Sequence, residues 1–233
     1  MSAPASRGLP TVLRAVAVVA GAATLFVGAV GFAHTPSGRP LLRALRGSSC
    51  PLGLGAPLTA EQSEAGRQRA LLAFKGEVRA SARPALGFVL GETTKADVER
   101  WVAAHGVVCR PDGPTTLTCK DVPAGALPAP HDAHATSVSL RWNPAGLLVA
   151  AVTTRSGIGA DEAARMHAAI AGDVRRAAGS PSIVLGEPTA EYLATSLHQV
   201  RTEFRFSDYR AEVLATRVGS EVVLSEEYQS IAD

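Results

Sequence analysis

The clearest local folding signals lie in residues 91–119, GETTKADVERWVAAHGVVCRPDGPTTLTC. Thr93 or Thr94 can cap a helix over residues 94–105, because a threonine side chain accepts a hydrogen bond from a free amide of the first turn. Apolar residues recur at spacings of three and four along this helix, which places them on one face. Gly106 is the expected left-handed terminator. The stretch therefore begins with a capped amphipathic helix.

Two cysteines bracket the hairpin that follows this helix. Residues 107–120 predict two short strands around the turn Pro-Asp-Gly-Pro. A disulfide between Cys109 and Cys119 would enclose about eleven residues and, in the chain-entropy model, stabilise the fold by roughly 2.5–3 kcal/mol. Disulfides persist in oxidising compartments. The pair therefore predicts a domain that folds outside the cytosol.

The third cysteine has a different setting. Cys50 lies in residues 34–57, where proline and glycine recur and which we interpret as a flexible linker. It stands 17 residues beyond an apolar run, so it is not placed as the cysteine of a lipoprotein. We interpret Cys50 as a spare thiol or an intermolecular cross-link rather than a catalytic group.

The apolar run itself is residues 15–33, which are 19 consecutive uncharged residues preceded by Arg7 and Arg14. As a helix the run would span about 28 Å, close to the hydrocarbon thickness of a bilayer. It predicts an uncleaved membrane anchor with a cytoplasmic N-terminus. The alternative is a signal peptide cleaved after Gly31-Phe32-Ala33. Either interpretation exports residues 34–233 to the periplasm or the cell exterior.

Composition argues against nucleic-acid binding. The formal net charge is +2, and the arginines are scattered among acidic residues instead of forming a stripe. A nucleic-acid interface would need clustered cations with interleaved aromatic residues. Aromatic residues make up only 5% of the chain, so the core must come mainly from Leu, Val and Ala.

The remaining chain predicts further helices and antiparallel strands. Thr59 and Gln62 form a capping-box pattern at the start of a helix over residues 60–80, whose apolar side would be Leu71, Leu72, Phe74 and Val78. After a loop at 121–135, alternation predicts a second hairpin, with Val138, Leu140 and Trp142 on the face under the helices. Helices are then expected over residues 160–178 and 188–199, and strands over residues 202–206, 211–218 and 221–228.

A short repeat divides the chain into two halves. Residues 184–189, VLGEPT, match residues 89–94, VLGETT, at five of six positions. We interpret this as a degenerate internal repeat. The prediction is an α+β fold of two units, residues 58–157 and 158–233, each with helices before antiparallel strands. The helices would lie on one face of an antiparallel sheet, preceded by an N-terminal transmembrane helix.

Gly91, Thr93, Val98, Cys109 and Cys119, with the strands of residues 137–154, carry a family resemblance. Residues 86–156 resemble the repeat unit of the tandem β-lactamase inhibitor proteins, and are similar to the related small lipoprotein of the outer-membrane barrel-assembly machinery. The resemblance implies helix pairs on a sheet whose exposed face binds other proteins. It implies no catalytic residue. The second half departs from the pattern, since no cysteine follows Cys119.

Candidate chemical groups are few. His131 and His134 form the one metal-like cluster, but they lack the spacing of a helical zinc motif, and we expect a solvated polar loop. Glu226 and Glu227 could pair as carboxylates, but neighbouring strand residues point to opposite faces. His105 and His198 are expected to pack or to cap carbonyls. Neither Glu162 nor Asp173 shares the helix face of His167, so no catalytic role is expected for that histidine. Trp101 and Trp142 are expected to anchor the core.

No serine lies in a nucleophile-elbow motif, and no glycine-rich phosphate loop precedes a helix. We therefore expect no catalytic, metal or cofactor residue and no small-molecule ligand. The sequence favours a membrane-tethered extracytoplasmic protein-binding or envelope-assembly module, whose partner would be another envelope protein. The alternatives are a periplasmic hydrolase with a site assembled only by folding, and a purely structural envelope protein.

Overall fold

The computed structural model of the protein describes residues 59–232. These residues fold as one unit. Its helices are α1 (Ala60–Leu71), α2 (Lys95–His105), α3 (Ala160–Ala178) and α4 (Ala190–Ala194), with a 3-10 turn at Leu72–Phe74. Its strands are β1 (Pro84–Ala85), β2 (Phe88–Val89), β3 (Cys109–Pro111), β4 (Thr116–Val122), β5 (Ala135–Trp142), β6 (Leu148–Ile158), β7 (Ile183–Leu185), β8 (Gln199–Arg205), β9 (Tyr209–Val218) and β10 (Glu221–Ser230).

Eight of these strands form one antiparallel sheet in the order β3-β4-β5-β6-β10-β9-β8-β7. Strands β1 and β2 form a separate two-stranded ribbon. The α+β class with a large antiparallel sheet is thus as the sequence predicts. The predicted unit boundary at residue 157 falls near the end of β6, and the sheet continues across it through β10.

Helix α2 follows the local signals of its sequence. Thr94 caps it by accepting from the amide of Asp97, and the Asp97 side chain accepts from the amide of Thr94. This reciprocal pair satisfies two of the amides that a helix start leaves free. At the other end Gly106 takes φ 62°, the left-handed conformation that a residue without Cβ adopts at no steric cost. Both predicted ends are confirmed.

The disulfide prediction is confirmed as well. Cys109 and Cys119 lie directly opposite each other on β3 and β4, with an S–S bond of 2.07 Å. Cys119 is buried in the core cluster, and the bond closes the edge of the sheet. The hairpin and the disulfide therefore secure the same pair of strands.

The main core lies between the sheet and helices α2 and α3. Val138, Leu140 and Trp142 alternate onto the buried face, as predicted. Trp142 is 6% exposed, whereas Trp101 is half-buried and donates from its indole to the carbonyl of Ala126 at 2.7 Å. Trp101 also meets the ring of Phe88 edge-on at 5.7 Å between centroids. Both tryptophans thus pack against the core.

The helix expected over residues 60–80 is shorter, because tertiary contacts take over after Phe74. The amide of Gly76 donates to the carbonyl of Phe206 at 3.0 Å, so the chain is extended there. A Cβ on Gly76 would lie 2.2 Å from the carbonyl oxygen of Arg205, so only glycine permits this approach. Leu72 and Val78, predicted on the apolar side, are 60% and 65% exposed.

The prediction that all helices lie on one face of the sheet is wrong for α1. This helix contacts Arg141 and Gln229, which alternate with the core residues of β5 and β10 and therefore point to the opposite face. Only Leu71 of α1 is buried, because the helix is polar and meets the sheet through hydrogen bonds. The polar contacts of α1, and not an apolar face of the helix, therefore determine the side of the sheet on which it lies.

The helix expected over residues 188–199 is also shorter. Helix α4 ends at Ala194, since Thr195 is extended and β8 begins at Gln199. Leu197, which lies within the predicted range, is outside the observed helix and 89% exposed. Thr189 caps α4 by accepting from the amide of Tyr192. By contrast, α3 has the bounds that the sequence predicts.

The predicted transmembrane helix at residues 15–33 and Cys50 lie outside the described residues. Among residues 59–232, no helix is both long and apolar enough to cross a membrane.

Candidate functional site

The sheet face opposite the core, here called the outer face, is organised in rows that cross the strands. The middle row begins with Arg110 on β3 and its partner Thr118 on β4. It continues across the sheet to three glutamates on β10, β9 and β8: Ser139, Val152, Glu227, Glu212 and Glu203. A second row runs beside it: Lys120, Ser137, Thr154, Ser225, Leu214 and Arg201. Because strand side chains alternate, each row is a continuous line on one face.

Helix α1 occupies the row on the other side of the middle row. Arg141 donates to the hydroxyl of Ser63 at 2.5 Å, and Arg67 donates to the side chain of Gln229 at 2.7 Å. Arg67 also bonds Glu64 within the helix. These contacts lie on β5 and β10, so α1 runs across the strands and covers one margin of the outer face.

The β8–β10 end of the outer face holds an ion-pair network. Glu203 is fully buried, and accepts from Arg205 at 2.8 Å and from Arg210 at 2.7 Å. Burial alone would raise the pKa of Glu203, but the hydrogen bonds and charges of the surrounding arginines hold that pKa below its usual value. The ring of Phe74 covers the guanidinium of Arg210 at 4.7 Å. The charges at this end are therefore already paired and capped.

The β4–β6 part of the outer face is different. It carries hydroxyl and small apolar side chains that are half-buried and no acidic group: Thr118, Ser137, Ser139, Val152 and Thr154. We call these five residues the open patch. Arg110 and Lys120 adjoin it and are exposed, and within the described residues neither forms an ion pair. The open patch is therefore weakly polar and is bordered by two exposed cations that form no ion pair among the described residues.

Titratable side chains converge at a second place, inside the core. Arg155 pairs with Glu226 across β6 and β10, the Nδ1 of His131 lies 2.6 Å from Glu226, and Tyr228 donates to Glu226 at 2.6 Å. Arg155 also donates to the carbonyl of His131 at 2.9 Å. We call these four side chains the buried quartet: His131, Arg155, Glu226 and Tyr228. The quartet connects the loop before β5 to the central strands of the sheet.

The environment of Glu226 explains its ionisation. Burial would raise its pKa, but the His131 imidazole, the Arg155 guanidinium and the Tyr228 hydroxyl together hold the pKa below the usual value. Burial raises the pKa of Tyr228 well above its usual range. Glu226 is thus a carboxylate, and Tyr228 a neutral donor.

The buried quartet is shielded from solvent. The side chains of His131, Arg155 and Glu226 are 6%, 1% and 0% exposed, and Tyr228 is 1% exposed. The side chains of the quartet do not line either of two surface cavities among the described residues. One lies beside β3, and the other between α3 and the segment before α4. The geometry supports a structural role for the quartet.

Acid should weaken the fold through Glu226. A carboxyl group whose folded pKa lies below its unfolded value of about 4.3 stabilises the fold fully above that value and loses this contribution as the pH falls through the folded pKa. We expect the parent to have the higher free energy of unfolding above about pH 5, and the difference between the parent and Glu226→Gln to narrow as the pH falls further. Urea unfolding from pH 2 to pH 7 measures this. If the difference in unfolding free energy between the two proteins does not narrow in acid, Glu226 is not the group responsible.

The histidines lie in different environments. The expectation of a solvated loop is wrong for His131, which the sheet buries through Arg155, but His134 is exposed. His105 bonds the carbonyl of Trp101 at 2.9 Å, and His198 that of Tyr192 at 3.0 Å, as carbonyl caps. His167 is buried, its Nε2 lies 3.2 Å from the carbonyl of Val213, and burial lowers its pKa.

The two neighbouring glutamates separate as predicted. Glu226 is buried and Glu227, 40% exposed at its side chain, points to the outer face. Sequence reasoning did not single out Arg155 and Tyr228. The alternation of β10 held the signal, because Glu226 shares its parity with the apolar Val222 and Leu224. A carboxylate in that register requires a buried partner.

Residues 59–232 contain no group of three or more His, Cys, Asp or Glu side chains placed to hold a metal ion. Comparison with protein-family models, with curated proteins and with solved structures finds no match.

Proposed function

We propose that this protein is a membrane-tethered extracytoplasmic binding or envelope-assembly module without catalytic activity. Residues 15–33 would anchor it, the linker at residues 34–57 would carry it away from the membrane, and the open patch would contact another envelope protein. The observation that carries the proposal is the division of the outer face. One margin is covered by α1, the β8–β10 end has its charges paired, and the remaining part presents hydroxyl and apolar side chains next to two cations with no described ion pair.

The internal repeat supports the binding proposal through the fold. Both copies of the VLGE sequence place their glycine at positive φ, 82° at Gly91 and 74° at Gly186, and both lead to a threonine-capped helix. The last strand of each half, β6 and β10, pair at the centre of the sheet. We interpret the halves as degenerate copies of one unit. This pairing of β6 with β10 creates one broad sheet face. An exposed sheet face is the surface that the family resemblance implies for binding other proteins.

The hydrolase alternative needs two titratable groups converging in a concave pocket. The buried quartet supplies the convergence, but its carboxylate has no exposed atom surface from which to act. The redox setting favours the exported location, because the Cys109–Cys119 bond persists in an oxidising compartment. These features support binding over catalysis.

Site-specific photo-crosslinking tests the binding proposal. With a benzophenone amino acid at Ser139, the centre of the open patch, we expect one dominant adduct with a second envelope protein in intact cells. The same probe at Arg176 on α3, exposed on the opposite side of the sheet, is the matched control and should give none. Mass spectrometry of the adduct identifies the partner. Absence of an adduct at Ser139, or equal adducts at both positions, would refute a binding role for the open patch.

A further inference from the structure

A groove lies where the outer face reaches the edge of the sheet. Its volume is about 610 Å³, and it is lined by Val108, Arg110, Pro111, Asp112, Thr118 and Lys120. Thr118 is shared with the open patch, and Lys120 lies opposite Ser137. The groove is therefore continuous with the surface to which the proposed function assigns partner binding.

The charge of the groove is unbalanced. Arg110 and Lys120 point to the outer face and are exposed, and Asp112 is the one carboxylate among the lining residues. In the described part of the chain, no acidic side chain pairs with either cation. This differs from the β8–β10 end of the same face, where Arg201, Arg205 and Arg210 all pair with glutamates. Two free cations are thus presented at one end of the open patch.

The backbone of the edge strand is poorly suited to pairing with an added strand. Val108 accepts from the amide of Lys120, and Asp112 donates to the carbonyl of Thr116, so both direct their hydrogen bonds towards β4. The backbone of Pro111 alternates with theirs and is directed away from β4, and proline has no amide hydrogen to offer an added strand. A ligand here is therefore held by side chains rather than by strand addition.

We propose that the groove binds an acidic loop of the partner protein, with a carboxylate of that loop between Arg110 and Lys120. Val108, which is 70% exposed, and Pro111 supply apolar walls for the stem of the acidic side chain. The inference rests on the proposed function and adds the chemistry of the partner. A phosphate of a lipid headgroup carries the same sign of charge, and the vesicle arm of the binding assay separates it from a protein carboxylate.

Charge reversal in the full-length protein tests the acidic-loop proposal. The benzophenone probe stays at Ser139, and Arg110→Glu/Lys120→Glu is compared with Arg165→Glu/Arg175→Glu, an equal charge change at exposed positions of α3. The first pair should reduce the partner adduct about tenfold or more, since two attractive contacts become repulsive. The second pair should change it less than twofold.

A binding assay separates the possible sources of negative charge. The full-length protein in neutral detergent is titrated with a labelled peptide of alternating glutamate and glycine, and with its glutamine counterpart. Vesicles with and without an anionic phospholipid form the third arm, using protein reconstituted into neutral nanodiscs. We expect the glutamate peptide to bind at least fivefold more tightly than the glutamine peptide, with the preference lost in Arg110→Glu/Lys120→Glu.

Each outcome is decisive. Three results would overturn the acidic-loop proposal. The two peptides could bind equally, anionic vesicles alone could bind in a way that depends on Arg110 and Lys120, or the adduct could contain a second copy of this chain. An adduct at Ser139 that survives Arg110→Glu/Lys120→Glu would overturn this inference and leave the proposed function intact. If the parent protein forms no adduct at Ser139, the proposed function itself fails.

Discussion

Replacing Glu226 with glutamine is expected to lower the free energy of unfolding by about 3–5 kcal/mol, because removing one partner of a buried ion pair leaves the other charge without compensation. Arg155 and Glu226 are both essentially inaccessible to solvent. Glutamine keeps the shape of the side chain, so the loss reports the charge rather than a cavity. Equilibrium urea unfolding at pH 7 measures the effect.

Two controls separate the buried pair from general effects of mutation. Glu227→Gln changes the neighbouring residue, which is 40% exposed at its side chain and lies 3.3 Å from Arg210, and should cost less than about 1 kcal/mol. Arg155→Met/Glu226→Leu removes both charges and should recover much of the loss of Glu226→Gln. Equal effects of Glu226→Gln and Glu227→Gln would show that the quartet does not stabilise the fold.

Replacing Cys109 with serine is expected to lower the free energy of unfolding by roughly 2.5–3 kcal/mol under oxidising conditions. The bond joins directly opposed residues of β3 and β4, so its loss frees the edge hairpin in the unfolded chain without altering the rest of the sheet. For a domain of this size the melting temperature should fall by about 5–12 °C. Thermal unfolding followed by circular dichroism measures the shift.

The redox control for Cys109→Ser uses the same two proteins. In excess reductant the parent and the variant should melt at the same temperature, because neither then has the cross-link. Cys50→Ser should leave the melting temperature unchanged in both conditions, and intact mass confirms the bond in the parent. Identical melting of parent and Cys109→Ser without reductant would show that the disulfide adds no stability.

The two variants probe the centre and the edge of the same sheet. Glu226 joins the central strands to the loop that carries His131, whereas the disulfide closes the strand edge beside the proposed groove. Loss of the quartet should therefore affect the whole domain. Loss of the disulfide should also loosen Arg110 on β3, and so weaken the binding that we assign to the groove.

Local sequence signals determined the elements whose ends and faces depend on neighbouring residues. Thr94 and Gly106 set the limits of α2, and alternation placed Val138, Leu140 and Trp142 inside. The cysteine pair was readable because a hairpin brings residues ten apart face to face. Each of these depends on contacts within one helix or one hairpin, where spacing along the chain dictates proximity.

Only the tertiary structure decided the features that join distant segments. The side of the sheet that α1 covers depends on Arg141 and Gln229, which are 78 and 162 residues from their partners in the helix. The burial of His131 depends on Arg155 and on Glu226 from the last strand. The free cations of the groove are distinguishable from the paired arginines of β8 and β9 only once the strand order is known. A short chain segment encodes its own hydrogen bonds and its apolar face, but whether a charge finds a counterion is settled by strand pairing across the whole sheet.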